Sequence, residues 1–153
     1  MKKIFAMLLT LALLTMAGAA MAEEFETEKQ NALAAFKVSL PEAVVDYTVR
    51  ERDDGRYEWQ LFFTQGDQLG VCKVREESNE IRKVELFRKE AGMLNAAEAM
   101  ARLAEKKGTI TVTELDLDWD DGSLRYEGDA QLDGKRYEFE MKATGEIIEW
   151  ERD

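Results

Sequence analysis

Between Leu124 and Met141 apolar and polar residues alternate. Leu124, Tyr126, Ala130 and Leu132, then Tyr137, Phe139 and Met141, form one set. Arg125, Glu127, Asp129 and Gln131, then Glu138, Glu140 and Lys142, form the other. A period of two puts one set on a buried face and the other in water. Asp121-Gly122, Asp133-Gly134 and Thr144-Gly145 punctuate the pattern, and Asp-Gly between alternating runs is a strong hairpin signal. Ile148 and Trp150 carry the alternation into a last strand. The stretch predicts an antiparallel meander with one face that needs a cover.

The rest of the chain supplies similar parts. Glu23–Phe36 reads as a helix, with Thr27 and Gln30 spaced as a capping box and Leu33 and Phe36 on one face. The only proline, Pro41, predicts its end. Strands follow over residues 43–52 and 57–64, joined by Asp53-Asp54-Gly55. Gln65-Gly66-Asp67 leads to strands over 69–75 and 81–87. Phe62 breaks the alternation beside Phe63, which predicts a place in a contact between halves or on the surface. Asn95 and Glu98 then mark a helix start. Ala96, Ala99, Met100, Leu103 and Ala104 make its apolar stripe, and Gly108 ends it. Residues 109–119 read as a strand whose alternation slips near Thr113–Glu114, as a β-bulge would make it do.

The two halves carry the same landmarks in the same order. Ala32–Phe36 corresponds to Ala99–Leu103 at an offset of 67 residues, Asp53-Asp54-Gly55 to Asp120-Asp121-Gly122 at the same offset, and Gly66-Asp67 to Asp133-Gly134 again at 67. Glu80-Ile81 falls on Glu146-Ile147 at 66. The expected fold is therefore α+β: two tandem repeats, each one helix packed on a three- to four-stranded antiparallel sheet, over residues 23–89 and 90–153. A unit of about 60 residues is marginal alone, so the two are expected to pack together, sheet edge to sheet edge.

The first 22 residues read as a signal peptide: Lys2-Lys3, an apolar run from Ile4 to Met16, and Ala20-Met21-Ala22 as the cleavage site. The run is short for a membrane span, and no Cys lies near the cut for a lipid anchor. The expected location is extracytoplasmic, periplasmic or secreted, with no stable membrane anchor after cleavage. The net charge is −11, and losing Lys2 and Lys3 leaves 19 basic against 32 acidic residues, or −13. Such a chain repels nucleic acid and anionic lipid. Its single cysteine, Cys72, permits no internal disulfide and reads as a small buried hydrophobe. There is no histidine, which removes Ser-His and Cys-His nucleophiles and His-ligated zinc.

On these residues the second unit resembles a PepSY domain. The features are its alanine-rich helix, Tyr126-Glu127-Gly128, then Asp133-Gly134-Lys135-Arg136-Tyr137-Glu138-Phe139-Glu140, and the closing Ala143-Thr144-Gly145-Glu146-Ile147-Ile148. Residues 27–89 resemble it more loosely, through Asp54-Gly55-Arg56-Tyr57-Glu58-Trp59, with Asn79 where the closing glycine would stand. The resemblance implies an exported, non-catalytic α+β module, similar to the inhibitory part of thermolysin-type metalloprotease propeptides. It brings no catalytic set to carry over.

Asp116, Asp118 and Asp120 with Glu127 imitate the spacing of a calcium loop, but Gly122 is misplaced and Leu117 and Trp119 alternate as in a strand. The acidic stretch Asp116–Asp121 is thus expected to be a solvated strand face. The pairs Glu138/Glu140 and Glu149/Glu151 each share a strand face, with nothing to mark one as a general acid. The aromatic residues Tyr57, Trp59, Phe63, Trp119, Tyr126, Tyr137, Phe139 and Trp150 are expected in the core. No catalytic, cofactor-binding or metal-binding residue is assigned. The expected function is a protein-binding module, acting in trans as a peptidase inhibitor or regulator on an exported peptidase or cell-wall enzyme. A sheet edge or the hairpin Asp133–Arg136 would lie along the partner. Alternatives are an acidic calcium or cationic-ligand binder and an envelope-assembly module. The sequence leaves the oligomeric state open.

Overall fold

The computed structural model describes the backbone of residues 2–153 and the side chains of residues 21–153. The side chains expected to form the basic and apolar segments of a signal peptide lie outside the described residues. Helix α1 (Lys2–Ser39) is followed by strands β1 (Val44–Asp53), β2 (Arg56–Gln65), β3 (Gln68–Arg75) and β4 (Ile81–Arg88). Helix α2 (Ala96–Lys107) is followed by β5 (Thr111–Asp120), β6 (Ser123–Leu132), β7 (Lys135–Lys142) and β8 (Ile147–Arg152). The strands form two four-stranded antiparallel sheets in the orders β1-β2-β3-β4 and β5-β6-β7-β8. The fold is α+β, with each helix next to a sheet. Among the described residues no helix is long and apolar enough to cross a membrane.

The turns form where the sequence places them. Asp54-Gly55, Asp121-Gly122 and Asp133-Gly134 take positive φ at both residues, the pattern of type I′ hairpin turns. Asn79, which stands where Gly145 stands in the second half, also takes positive φ, at 55° against 93° for the glycine; asparagine is one of the few side chains that tolerates this region. The bulge expected near Thr113 is present as a register shift between Val112 and Glu114 opposite β6. β1 carries the same shift between Val45 and Tyr47, 67 residues earlier. A second pair of shifts, Lys73/Val74 and Glu140/Met141, stands at the same spacing.

α2 is capped as expected. The Asn95 side chain accepts from Glu98 N, and Glu98 accepts from Asn95 N, both at 2.9 Å. Asn95→Ala should cost about 1 kcal/mol, read as a lower urea midpoint with an unchanged m-value; an unshifted midpoint would show the cap to be dispensable. The capping box expected at Thr27 does not form. α1 runs through this point, so Thr27 Oγ1 bonds Glu23 O one turn back at 2.9 Å, and Gln30 bonds Glu26 at 2.8 Å. With no chain break there, no free N–H groups need a cap.

Among the described residues, two apolar clusters hold the fold together. In the first, Ala32 and Phe36 of α1 meet Trp59, Leu61 and Phe63 of β2 and Cys72 and Val74 of β3. In the second, Ala96, Ala99, Met100 and Leu103 of α2 meet Leu115, Leu117, Leu124, Tyr126, Phe139 and Met141. Val49, Phe62, Leu69 and Val71 belong to this second cluster. They lie on the face of the first sheet turned away from α1, because directly paired residues share a face and their neighbours Trp59, Leu61 and Phe63 point the other way. The first sheet is thus buried on both faces, and Phe62 is 1% exposed in the joint between halves. β1 lies against β5. Asp46 on β1 accepts from Ala97 N at the start of α2, and Lys73 on β3 pairs with Asp116 on β5 at 3.2 Å. Among the described residues, every buried core residue lies at or beyond Ala32, so a chain starting at Glu23 retains all of these.

Two aromatic residues expected inside lie outside. Trp119 is 49% and Tyr57 40% exposed. Each sits beside a hairpin turn at the end of its strand. Tyr57 instead stacks under the Arg50 guanidinium, 3.7 Å from its ring centroid. Trp150 is half-buried and stacks on Tyr137 at 4.8 Å. Cys72 is fully buried, and that burial pushes its thiol up to about 11. The thiolate that reactive cysteines require is therefore disfavoured.

Candidate functional site

α2 covers one face of the second sheet; among the described residues no helix or sheet covers the other, which the first half reaches through Lys73, paired with Asp116. Period two fixes which side chains occupy it. Across the four strands, Asp116, Glu127, Glu140 and Glu149 are register partners, as are Glu114, Asp129, Glu138 and Glu151. Glu114, Asp116, Glu127, Asp129, Glu138, Glu140 and Glu149 line one open cleft of about 390 Å³, with Arg136 as the basic residue among them. The pairs Glu138/Glu140 and Glu149/Glu151 do share a face, as their spacing predicts. Missing from the sequence reading was the convergence on them of Glu114, Glu127 and Asp129 from β5 and β6. The alternating acids of four successive strands, taken with the Asp-Gly turns that set the register, were the available signal.

The carboxylates are crowded, and burial together with that crowding raises two of them, Glu114 and Glu127. Glu114 is held above the usual glutamate range by burial first and then by the neighbouring Asp129 carboxylate, with Glu51 and Asp116 adding to it. Glu127 is raised by burial, then by Glu140 and Asp120, against the opposing pull of Arg125. Asp46, in the joint, is raised by burial despite the Ala97 N–H and the Thr64 hydroxyl. A carboxyl whose folded pKa exceeds its unfolded value binds its proton more tightly in the fold. Its stabilising effect is complete below the unfolded pKa and is lost as pH rises through the folded one. Acidification from neutral pH toward the unfolded carboxyl pKa of about 4 should therefore raise the melting temperature, and Glu114→Gln should flatten the rise. A melting temperature that falls over this range would contradict the reading.

Basic side chains partition the face. Arg125 pairs with Glu140, with Asp120 at 3.0 Å and with Asp121 at 3.6 Å. Arg136, from the hairpin Asp133–Arg136, pairs with the buried Asp129 at 2.6 Å and with Asp153 at 3.2 Å. That arginine is an anchor of the sheet, while Asp133, Gly134 and Lys135 are exposed at the tip. Asp120, Glu127 and Glu140 bring carboxylate oxygens within 4.8 Å of one another. The Arg125 guanidinium already lies against two of the three. Of the stretch Asp116–Asp121, only Asp116 lines the cleft and only Asp120 joins this trio. Leu117 is buried, and the remaining acids are solvated as expected.

The face has a counterpart in the first half. Tyr47, Val49, Phe62, Leu69 and Val71 stand 67 residues before Glu114, Asp116, Asp129, Arg136 and Glu138. In the first sheet this apolar set is buried in the joint. In the second the charged set faces an open cleft, with Asp129 buried beneath Arg136.

These features define an α+β protein of two helix-plus-meander halves, with one joint face used and one free. Residues 93–151 match the PepSY family model, described as peptidase propeptide and YPEB domain. The resemblance of the second half to that family is thereby shown. A solved structure of a candidate lipoprotein from Clostridium difficile 630 is similar to this chain at 14% identity and a TM-score of 0.43, covering 80% of this chain and 90% of that one. No curated protein matches the sequence.

Proposed function

We propose that the protein is a non-catalytic, protein-binding module that works outside the cytoplasm after loss of residues 1–22, and that residues 23–89 and 90–153 are two copies of one PepSY-like unit. The matching register shifts, turn conformations and helix contacts of the two halves support the second statement. One observation carries the first. The sheet face that the first half buries against its neighbour is, among the described residues, left without a covering element in the second half and is lined with carboxylates. A face of that kind suits a partner with a basic surface, because a charged face exposes no apolar area yet steers an opposite charge toward it.

The binding is steric and electrostatic, with the exposed hairpin tip Asp133–Lys135 and the acidic cleft in contact with the partner. The PepSY match makes an exported peptidase the first class to test, acting in trans as a target of inhibition or regulation. The mature chain, titrated against exported peptidases and wall enzymes, should slow at least one of them. Glu127→Gln combined with Glu138→Gln and Glu149→Gln should weaken that effect without changing the melting temperature by more than a few degrees. If no peptidase is slowed, the inhibitor form of the proposal fails.

The trio Asp120, Glu127 and Glu140 supports a second reading, calcium binding. The Arg125 guanidinium counts against it, since it supplies positive charge where the ion would sit. Calcium should accordingly produce no thermal shift. A shift abolished by Glu127→Gln would reverse the order of the two readings.

A further inference from the structure

With β1 against β5 inside the molecule, β4 and β8 are the outer strands of the two sheets. Each has a hydrogen-bonded neighbour on one side, β3 and β7 respectively. An outer strand offers unpaired N–H and C=O groups to any further strand, and proteins commonly guard such edges with charge. Here the two edges carry opposite signs. β4 and the residue after it hold Arg82, Lys83, Arg88 and Lys89 against Glu85. β8 and the residue after it hold Glu149, Glu151 and Asp153 against Arg152. Like charges oppose pairing of β4 with β4 or of β8 with β8, whereas β4 facing β8 is attractive. Neither strand contains proline, which would block a ladder. Each also shows apolar side chains to solvent: Val84 and Leu86, 41% and 43% exposed, on β4, and Ile148, 43% exposed, on β8.

We propose that β4 of one molecule pairs with β8 of a second copy, so that the protein associates head to tail. The contact is heterologous. Every molecule therefore keeps one free edge of each sign, and the product is a short chain or a closed ring rather than a two-fold dimer. The β8 edge shares Glu149 with the acidic cleft, but the inference does not rest on the cleft's partner.

Charge exchange tests it. Residues 23–153 are compared with Lys83→Glu/Arg88→Glu, which makes both edges acidic, and with Glu149→Lys/Glu151→Lys, which makes both basic. Arg82 is left in place because it pairs with the buried Glu58 at 3.7 Å. Circular dichroism establishes that each variant is folded; Lys83→Glu/Lys89→Glu and Glu151→Lys/Asp153→Lys replace any double variant that is not. In sedimentation velocity at one ionic strength, the wild type should show a sedimentation coefficient that rises with concentration. Each variant alone should remain monomeric, and an equimolar mixture of the two should regain association. A wild type that stays monomeric at all concentrations would overturn the proposal. So would a mixture that does not associate, or a dimer that survives both exchanges.

Discussion

Gly128→Ala should lower stability by about 3 kcal/mol and shift the urea midpoint of the whole molecule. Gly128 lies on β6 between Leu115 and Phe139, on the face that α2 covers. A Cβ added there would stand 2.0 Å from the Glu114 carbonyl oxygen and 2.8 Å from its carbon. These are backbone atoms next to the β5 bulge, so relief requires β5 to move away from β6. β5 is also the strand that meets the first sheet, through β1 and through the Lys73–Asp116 ion pair. A shift of β5 therefore loosens the joint as well as the second sheet. A midpoint change worth less than about 1 kcal/mol would mean that β5 is more compliant than the packing indicates.

Phe62→Ala should cost about 3–5 kcal/mol and leave a single unfolding transition. The ring is 1% exposed and packs in the cluster that α2 and the second sheet share with the far face of the first. Its loss opens a cavity in the joint, where neither half can collapse without breaking contacts with the other. Two separated calorimetric transitions in the wild type, with only one lowered by the substitution, would show the halves to be independent domains.

Local structure was largely legible because local chemistry dictates it. Asp-Gly pairs specify hairpin turns, Asn95 and Glu98 specify a helix start, and the slipped alternation at Thr113 specifies a bulge. Phe62 was legible as an irregularity because it gives β2 an apolar residue on both faces, which only a doubly covered strand tolerates. The start of α1 was misread because Thr27 and Gln30 have the spacing of a capping box but no break to cap. Trp119 and Tyr57 were misplaced because period two assigns a face, not how far along a strand the covering helix reaches. The acidic cleft was legible only in pieces. Each strand displays its own alternating acids, but their convergence depends on the cross-strand register of four strands. That register places Glu127 beside Glu140, and Asp129 beside Glu114 and Glu138.

The central claim is that the open carboxylate face of the second sheet is a docking surface for a protein. The most direct measurement is paired affinity capture from extracytoplasmic proteins at moderate salt. One column carries residues 23–153 and the other the Glu127→Gln/Glu138→Gln/Glu149→Gln variant, and the affinity of any retained protein is measured by titration. The expected result is a partner with a basic surface that binds the wild type in a fixed ratio and binds the variant at least ten-fold more weakly, about 1.4 kcal/mol. No retained protein, or a partner held equally well by both columns, would contradict it.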